Sequence, residues 1–136
     1  MFKYVRTINS HISAPEVFNI TALYQTKIYE GALYTTDSGG HLSADLTDSC
    51  PKYIALENKT LSEFTRPIRC IKVLPGMVFE TQYSSNPDEL NVGMHGTWGF
   101  GFNNEACYFT SDGNTMEVVS HHYTEDEATI QVTFIN

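Results

Sequence analysis

The sequence predicts an all-β fold, a small barrel or sandwich of short antiparallel strands. Three observations predict it. Short runs rich in Val, Ile, Thr, Tyr and Phe are separated by Gly, Pro, Asn and Asp. Two segments, Asp37-Ser-Gly-Gly40 and Ser111-Asp-Gly-Asn114, have the composition of tight hairpin turns. The last segment alternates cleanly, with Ile130, Val132 and Phe134 interleaved with Thr129, Gln131 and Thr133. That period of two marks a half-buried strand.

Taken in order, Ala32-Leu-Tyr-Thr-Thr36 and His41-Leu-Ser-Ala44 read as the arms of a hairpin, with Gly39 and Gly40 supplying positive φ. Lys52–Glu57 alternates, with Tyr53 and Ala55 on one face and Ile54 and Leu56 on the other. Ile68–Leu74 sets Ile68 and Cys70 against Ile71 and Val73, and Pro75-Gly76 ends it. Met77–Thr81 resumes as a strand, and the polar, proline-containing 84–89 reads as a loop. Leu90–Met94, the aromatic Gly96–Phe102, Cys107–Thr110 and Met116–Ser120 follow, and Glu125-Asp-Glu127 reads as an exposed hairpin tip. The one helix candidate is 15–23, with Ser13 as cap and Pro15 in the first turn. Its β-branched residues argue against a helix, and an extended arm is the alternative. The organisation expected is an arm or short helical segment over 1–26 and a β domain over 27–136.

At 136 residues the chain suits one domain with its own core. Its net charge is −8, with 16 acids against 8 bases and no basic cluster. Phosphate binding needs clustered Lys and Arg, so nucleic acid and anionic membranes are not expected partners. No apolar run reaches the roughly 18 residues that span a bilayer, and Met1-Phe-Lys-Tyr-Val-Arg6 lacks the apolar core of a signal peptide. The sequons at Asn19 and Asn58 carry no weight without such a signal. Three widely spaced cysteines, Cys50, Cys70 and Cys107, suit free thiols in a reducing compartment.

No catalytic set emerges. Nucleophilic catalysis needs a Ser or Cys beside an oriented base, and no G-x-S-x-G elbow is present. The acids at 45 and 48, at 88 and 89, and at 125–127 lie in polar turns where carboxylates are simply solvated. The five histidines lack metal-ligand spacing, and the adjacent His121 and His122 point to opposite faces of a strand. Gly93–Gly101 lacks the G-x-G-x-x-G spacing of a phosphate cradle, and glycine alternating with aromatics marks a bend or a close backbone approach. No catalytic residue, cofactor or metal is therefore expected. The aromatic group Trp98, Phe100 and Phe102 reads first as core; if exposed, it offers a sticky face for a protein or, with Tyr108 and Tyr123, for a sugar.

The stretches Glu30-Gly-Ala-Leu-Tyr34, Gly40-His-Leu-Ser43, Pro51–Glu57 and Ile68–Glu80, with its Val73-Leu-Pro-Gly-Met-Val-Phe79 ending, resemble the small capsid decoration proteins of tailed bacteriophages over residues 27–136. The resemblance lies in glycine spacing and strand rhythm. It implies a β-barrel-like or β-tulip-like domain on the outer capsid surface of a virion. The partner it implies is the major capsid protein, with a homotrimer or cluster cementing neighbouring subunits. Such a protein stabilises the shell by binding it in preference to its separated parts. The partner-binding residues expected are Phe2, Tyr4 and Val5, on an arm that adds a strand to a capsid sheet, together with Trp98, Phe100 and Phe102. A carbohydrate- or receptor-binding module of a phage tail or fibre is the alternative, and a carboxylate hydrolase the third reading.

Overall fold

The computed structural model describes residues 1–8, 15–83, 90–123 and 128–135, with the side chains of residues 121–123 and 128 set aside. All regular structure in these residues is β, as eleven strands in antiparallel ladders. No helix among them is long and apolar enough to cross a membrane. The polar stretches 84–89 and 125–127, read above as a loop and a hairpin tip, lie outside the described residues.

Contacts group the chain as Met1–Ala14 with Leu74–Asn136, and Pro15–Val73 by itself. This differs from the expected boundary at 26/27, because the first strand belongs with the C-terminal half. The first unit has the strand order β1 (Lys3–Thr7), β7 (Met77–Gln82), β11 (Ala128–Phe134), β10 (Met116–Tyr123), β8 (His95–Phe100) and β9 (Ala106–Thr110). Its sheet curls. Tyr83, just beyond β7, forms a single parallel bridge with Phe109 of β9, their rings 5.9 Å apart. β11 is flanked on both sides, and Ile130, Val132 and Phe134 are buried while Gln131 and Thr133 between them are half-exposed.

The second unit has the order β3 (Leu33–Thr36), β5 (Tyr53–Ala55), β6 (Arg66–Lys72) and β2 (Val17–Ala22), with β4 (Leu42–Ser43) paired to β3. The β3–β4 hairpin forms as expected. Only Gly40 of its two glycines has positive φ, at 79°. The Asp37 carboxylate holds the rest of the turn by accepting the backbone N–H groups of Gly39 and His41, each at 2.9 Å.

Two expectations are corrected. Residues 17–22 form β2, not a helix; Val17, Ile20 and Thr21 are stiff at χ1 and suit a pleated surface. Ser111–Asn114 does not close a hairpin either. β9 and β10 lie on opposite sides of β8, so the turn carries the chain across it. Gly113 is needed there for φ 149° and because a Cβ would lie 2.7 Å from the Thr97 side chain.

Candidate functional site: an aromatic hairpin tip and an apolar pair of turns

β8 and β9 are joined by Gly101–Glu105. Gly101 N–H donates to the Glu105 carbonyl at 2.7 Å, and Asn104 N–H returns to the Gly101 carbonyl at 3.0 Å. Asn104 takes φ 62°, a conformation Asn tolerates. The Glu105 carboxylate accepts Asn103 N–H at 2.8 Å. Every one of these bonds is local, so the tip holds its own shape.

Upon this frame Phe100 is 54% exposed and Phe102 fully exposed. Tyr108 fixes the approach to the tip. Its ring lies across Gly99, where a Cβ would come within 2.0 Å of it, and its hydroxyl donates to the Phe100 carbonyl at 2.9 Å. Glycine at 99 is what lets the ring cross the strand. A register shift between Gly99 and Phe100 separates Trp98 from Phe100. A bulge of this kind re-aims the side chains that follow it.

The expected partner-binding residues therefore divide. Phe100 and Phe102 stand in solvent, but Trp98 is only 9% exposed and belongs to the core. Phe2 is 2% exposed, its ring 5.9 Å from that of Phe134. Tyr4 is half-buried, 5.9 Å from Phe79, and donates or accepts a 2.6 Å bond with Thr7. Val5 alone of the three is exposed, at the bulge where the β1–β7 register shifts between Tyr4 and Arg6. The free arm is thus corrected. Residues 3–7 already pair with β7, and the open edge carries a bulge with Lys3 and Arg6, devices that discourage a further strand from pairing.

A second exposed apolar cluster, on the other unit, was not singled out from the sequence. It sits on two adjacent turns. Thr26 N–H bonds the Leu23 carbonyl at 3.1 Å, and Thr60 N–H bonds the Glu63 carboxylate at 2.6 Å. The buried Lys59 links the turns, its Nζ donating to the carbonyls of Thr26 at 2.8 Å and Thr60 at 3.4 Å. Tyr24 N–H donates to Thr65 Oγ1 at 2.8 Å. Leu23, Tyr24, Leu61 and Phe64 are all exposed, Phe64 to 81%. The Tyr24 and Phe64 rings stack at 5.6 Å and 25°. The only sequence signal was an aromatic stranded in the polar run Leu61-Ser-Glu-Phe-Thr-Arg66. Its partner lies forty positions away.

Glu57 anchors this second cluster. Arg69 N–H donates to its carboxylate at 2.9 Å and Arg66 Nη1 at 2.6 Å, while Arg66 also reaches Glu63 at 3.2 Å. These donors, the Arg69 backbone first, bring the Glu57 carboxyl down from 4.5 to about 2. The stabilisation is present above pH 4.5 and is lost as the pH falls through 2. With the side chain 24% exposed, solvent screening reduces the effect to about 1–2 kcal/mol. Glu57→Gln is expected to lower stability by that amount at pH 7. The deficit should shrink from pH 4.5 downward and close near pH 2, read by urea unfolding at several pH values.

The thiols show no shared chemistry. Burial raises Cys70 to about 12. Cys50 is pushed up by burial but lowered more by its hydrogen bonds, first of them the Thr47 N–H that its Sγ accepts at 3.3 Å. Lys52, beside it, donates to the carbonyls of Asp48 and Cys50. Among the described residues no three His, Cys, Asp or Glu side chains gather as a metal ion would require.

Fold and surface together define an all-β protein that presents exposed aromatic side chains on locally braced turns. Comparison with protein-family models, with curated proteins and with solved structures finds no match.

Proposed function

We propose that this chain is a non-enzymatic binding protein that seats on an assembled protein shell through Phe100 and Phe102. In the finer reading it is a phage head decoration protein. It binds the major capsid protein on the outer surface of the virion and stabilises the capsid across subunit seams. The observation that carries the reading is the tip itself. Two phenylalanines held in water on a braced hairpin are unfavourable to solubility and well suited to fill pockets on a partner. A preshaped anchor also loses little conformational freedom on binding. The capsid as partner rests on the strand rhythm of residues 27–136. Binding only the assembled shell would stabilise it by mass action.

The test is co-sedimentation of the purified protein with capsid shells that lack it. Wild-type protein is expected to pellet in a repeating stoichiometry. The double variant Phe100→Ser, Phe102→Ser is expected to bind roughly 30- to 1000-fold more weakly, since losing such a pair of aromatic anchors costs about 2–4 kcal/mol in all. Its unfolding midpoint should not fall, because both rings are already in solvent. Wild-type protein that stays in the supernatant sinks the shell reading. Unchanged binding by the double variant moves the anchor elsewhere.

A further inference from the structure

We infer that the Leu23, Tyr24, Leu61 and Phe64 surface is a self-association site, at which a second copy of this chain docks about a two-fold axis. The inference stands apart from the shell reading, which uses a different surface on the other unit.

Three observations support a second copy as the occupant. The first is charge. Pro15–Val73 carries six Lys and Arg against seven Asp and Glu, while the rest of the chain carries two against nine. The first is close to neutral and the second is at −7, so the unit that bears the patch brings little net charge of its own to repel a second copy. The second is the rim. The same turns carry Lys27 and Arg66 together with Glu63, so a patch rotated onto itself can set opposite charges against each other. The third is area. The four side chains present roughly 400–500 Å² of mostly apolar surface, and two such patches with their rims approach the about 1,000 Å² of a stable interface.

The patch is also braced before any partner arrives. Lys59 ties the two turns, Tyr24 N–H is held by Thr65, and the Glu57–Arg66–Glu63 network fixes the turn that carries Phe64. Stacking against Tyr24 restricts the Phe64 ring and leaves its outer face open. Such a side chain loses little rotamer freedom when a partner covers it.

The experiment is sedimentation velocity on the full chain from about 1 to 200 μM, for wild type, Phe64→Asp, Leu61→Lys and Phe102→Asp. Wild type and Phe102→Asp are expected to show the same concentration-dependent shift from monomer to dimer. High salt should leave that shift in place, since the contact is apolar. Phe64→Asp and Leu61→Lys are expected to dimerise at least 30-fold more weakly, with thermal midpoints unchanged because both side chains are exposed. A wild-type chain that is monomeric throughout overturns the inference, as does dimerisation that both patch variants retain. A monomeric wild type whose Phe64→Asp variant loses shell binding would give the surface to the shell instead, which also overturns it.

Discussion

Replacing Phe2 by alanine is expected to cost about 3–5 kcal/mol, the range for truncating a fully buried ring in a core that cannot collapse around it. Phe2 is 2% exposed and lies at one end of a chain of rings. Its ring is 5.9 Å from Phe134, Phe134 is 5.7 Å from Phe79 edge-on, and Phe79 is 5.9 Å from Tyr4. The ring chain joins strands β1, β7 and β11, whose backbones are already paired. Loss of Phe2 opens a cavity at the edge of the sheet and loosens β1, exposing β7 as a new edge. Val5→Ala is the control. It sits at the bulge in solvent and is expected to change stability by less than about 0.5 kcal/mol. Guanidinium unfolding of the two variants separates a structural strand from a free arm. Equal, small effects would mean that residues 2–5 are dispensable to the fold.

The second large effect is expected at Gly96. A Cβ there would lie 2.0 Å from the Thr110 carbonyl oxygen and 2.4 Å from the Phe109 ring. Neither neighbour can yield cheaply. The oxygen belongs to the backbone of β9, and Phe109 is fully buried. Gly96 is also the residue of β8 that pairs with Met116 of β10, so a shift of β8 away from β9 disturbs the ladder on its other side. Gly96→Ala is expected to cost at least about 3 kcal/mol, the upper end of overpacking, and to lower the thermal midpoint by roughly 10 °C. Gly40→Ala is the comparison. Its φ is 79° with nothing within 4 Å of the added carbon, so only backbone strain of about 1–2 kcal/mol opposes it. Calorimetry or thermal melts that rank Gly40→Ala as the worse variant would show that conformation, not space, decides the glycines of this chain.

Both predictions bear on what was legible in the sequence. The glycine-rich run through Gly96 and Gly99 was readable as a bend or a close backbone approach, the common uses of glycine inside a strand. Which backbone approached was not readable. Thr110 and Tyr108 are brought to these glycines only by the β8–β9 register. Phe2 offers the converse case. An aromatic next to Met1 in a mixed polar segment looks accessible, and its burial depends on β1 adding to β7 some seventy residues away. At the candidate site, Phe100 and Phe102 were readable as aromatics and Trp98 was indistinguishable from them. The register shift after Gly99, which leaves one ring buried and two exposed, has no local signature.

The sequence by itself determined the β class, the hairpin at 33–43, and the buried face of 129–135. Each of these depends on a period of two or on the Asp37–Gly40 turn, and so on interactions between residues a few positions apart. Tertiary structure alone decided that the chain passes across β8 after β9, so that β10 pairs with β8 instead of with β9. It also decided that 17–22 extends along β6 instead of winding into a helix, and that Tyr24 meets Phe64 at the surface. Those outcomes depend on which distant strands share a ladder and how much apolar area each arrangement removes from water. Such sums run over the whole fold, and no short window of residues contains them.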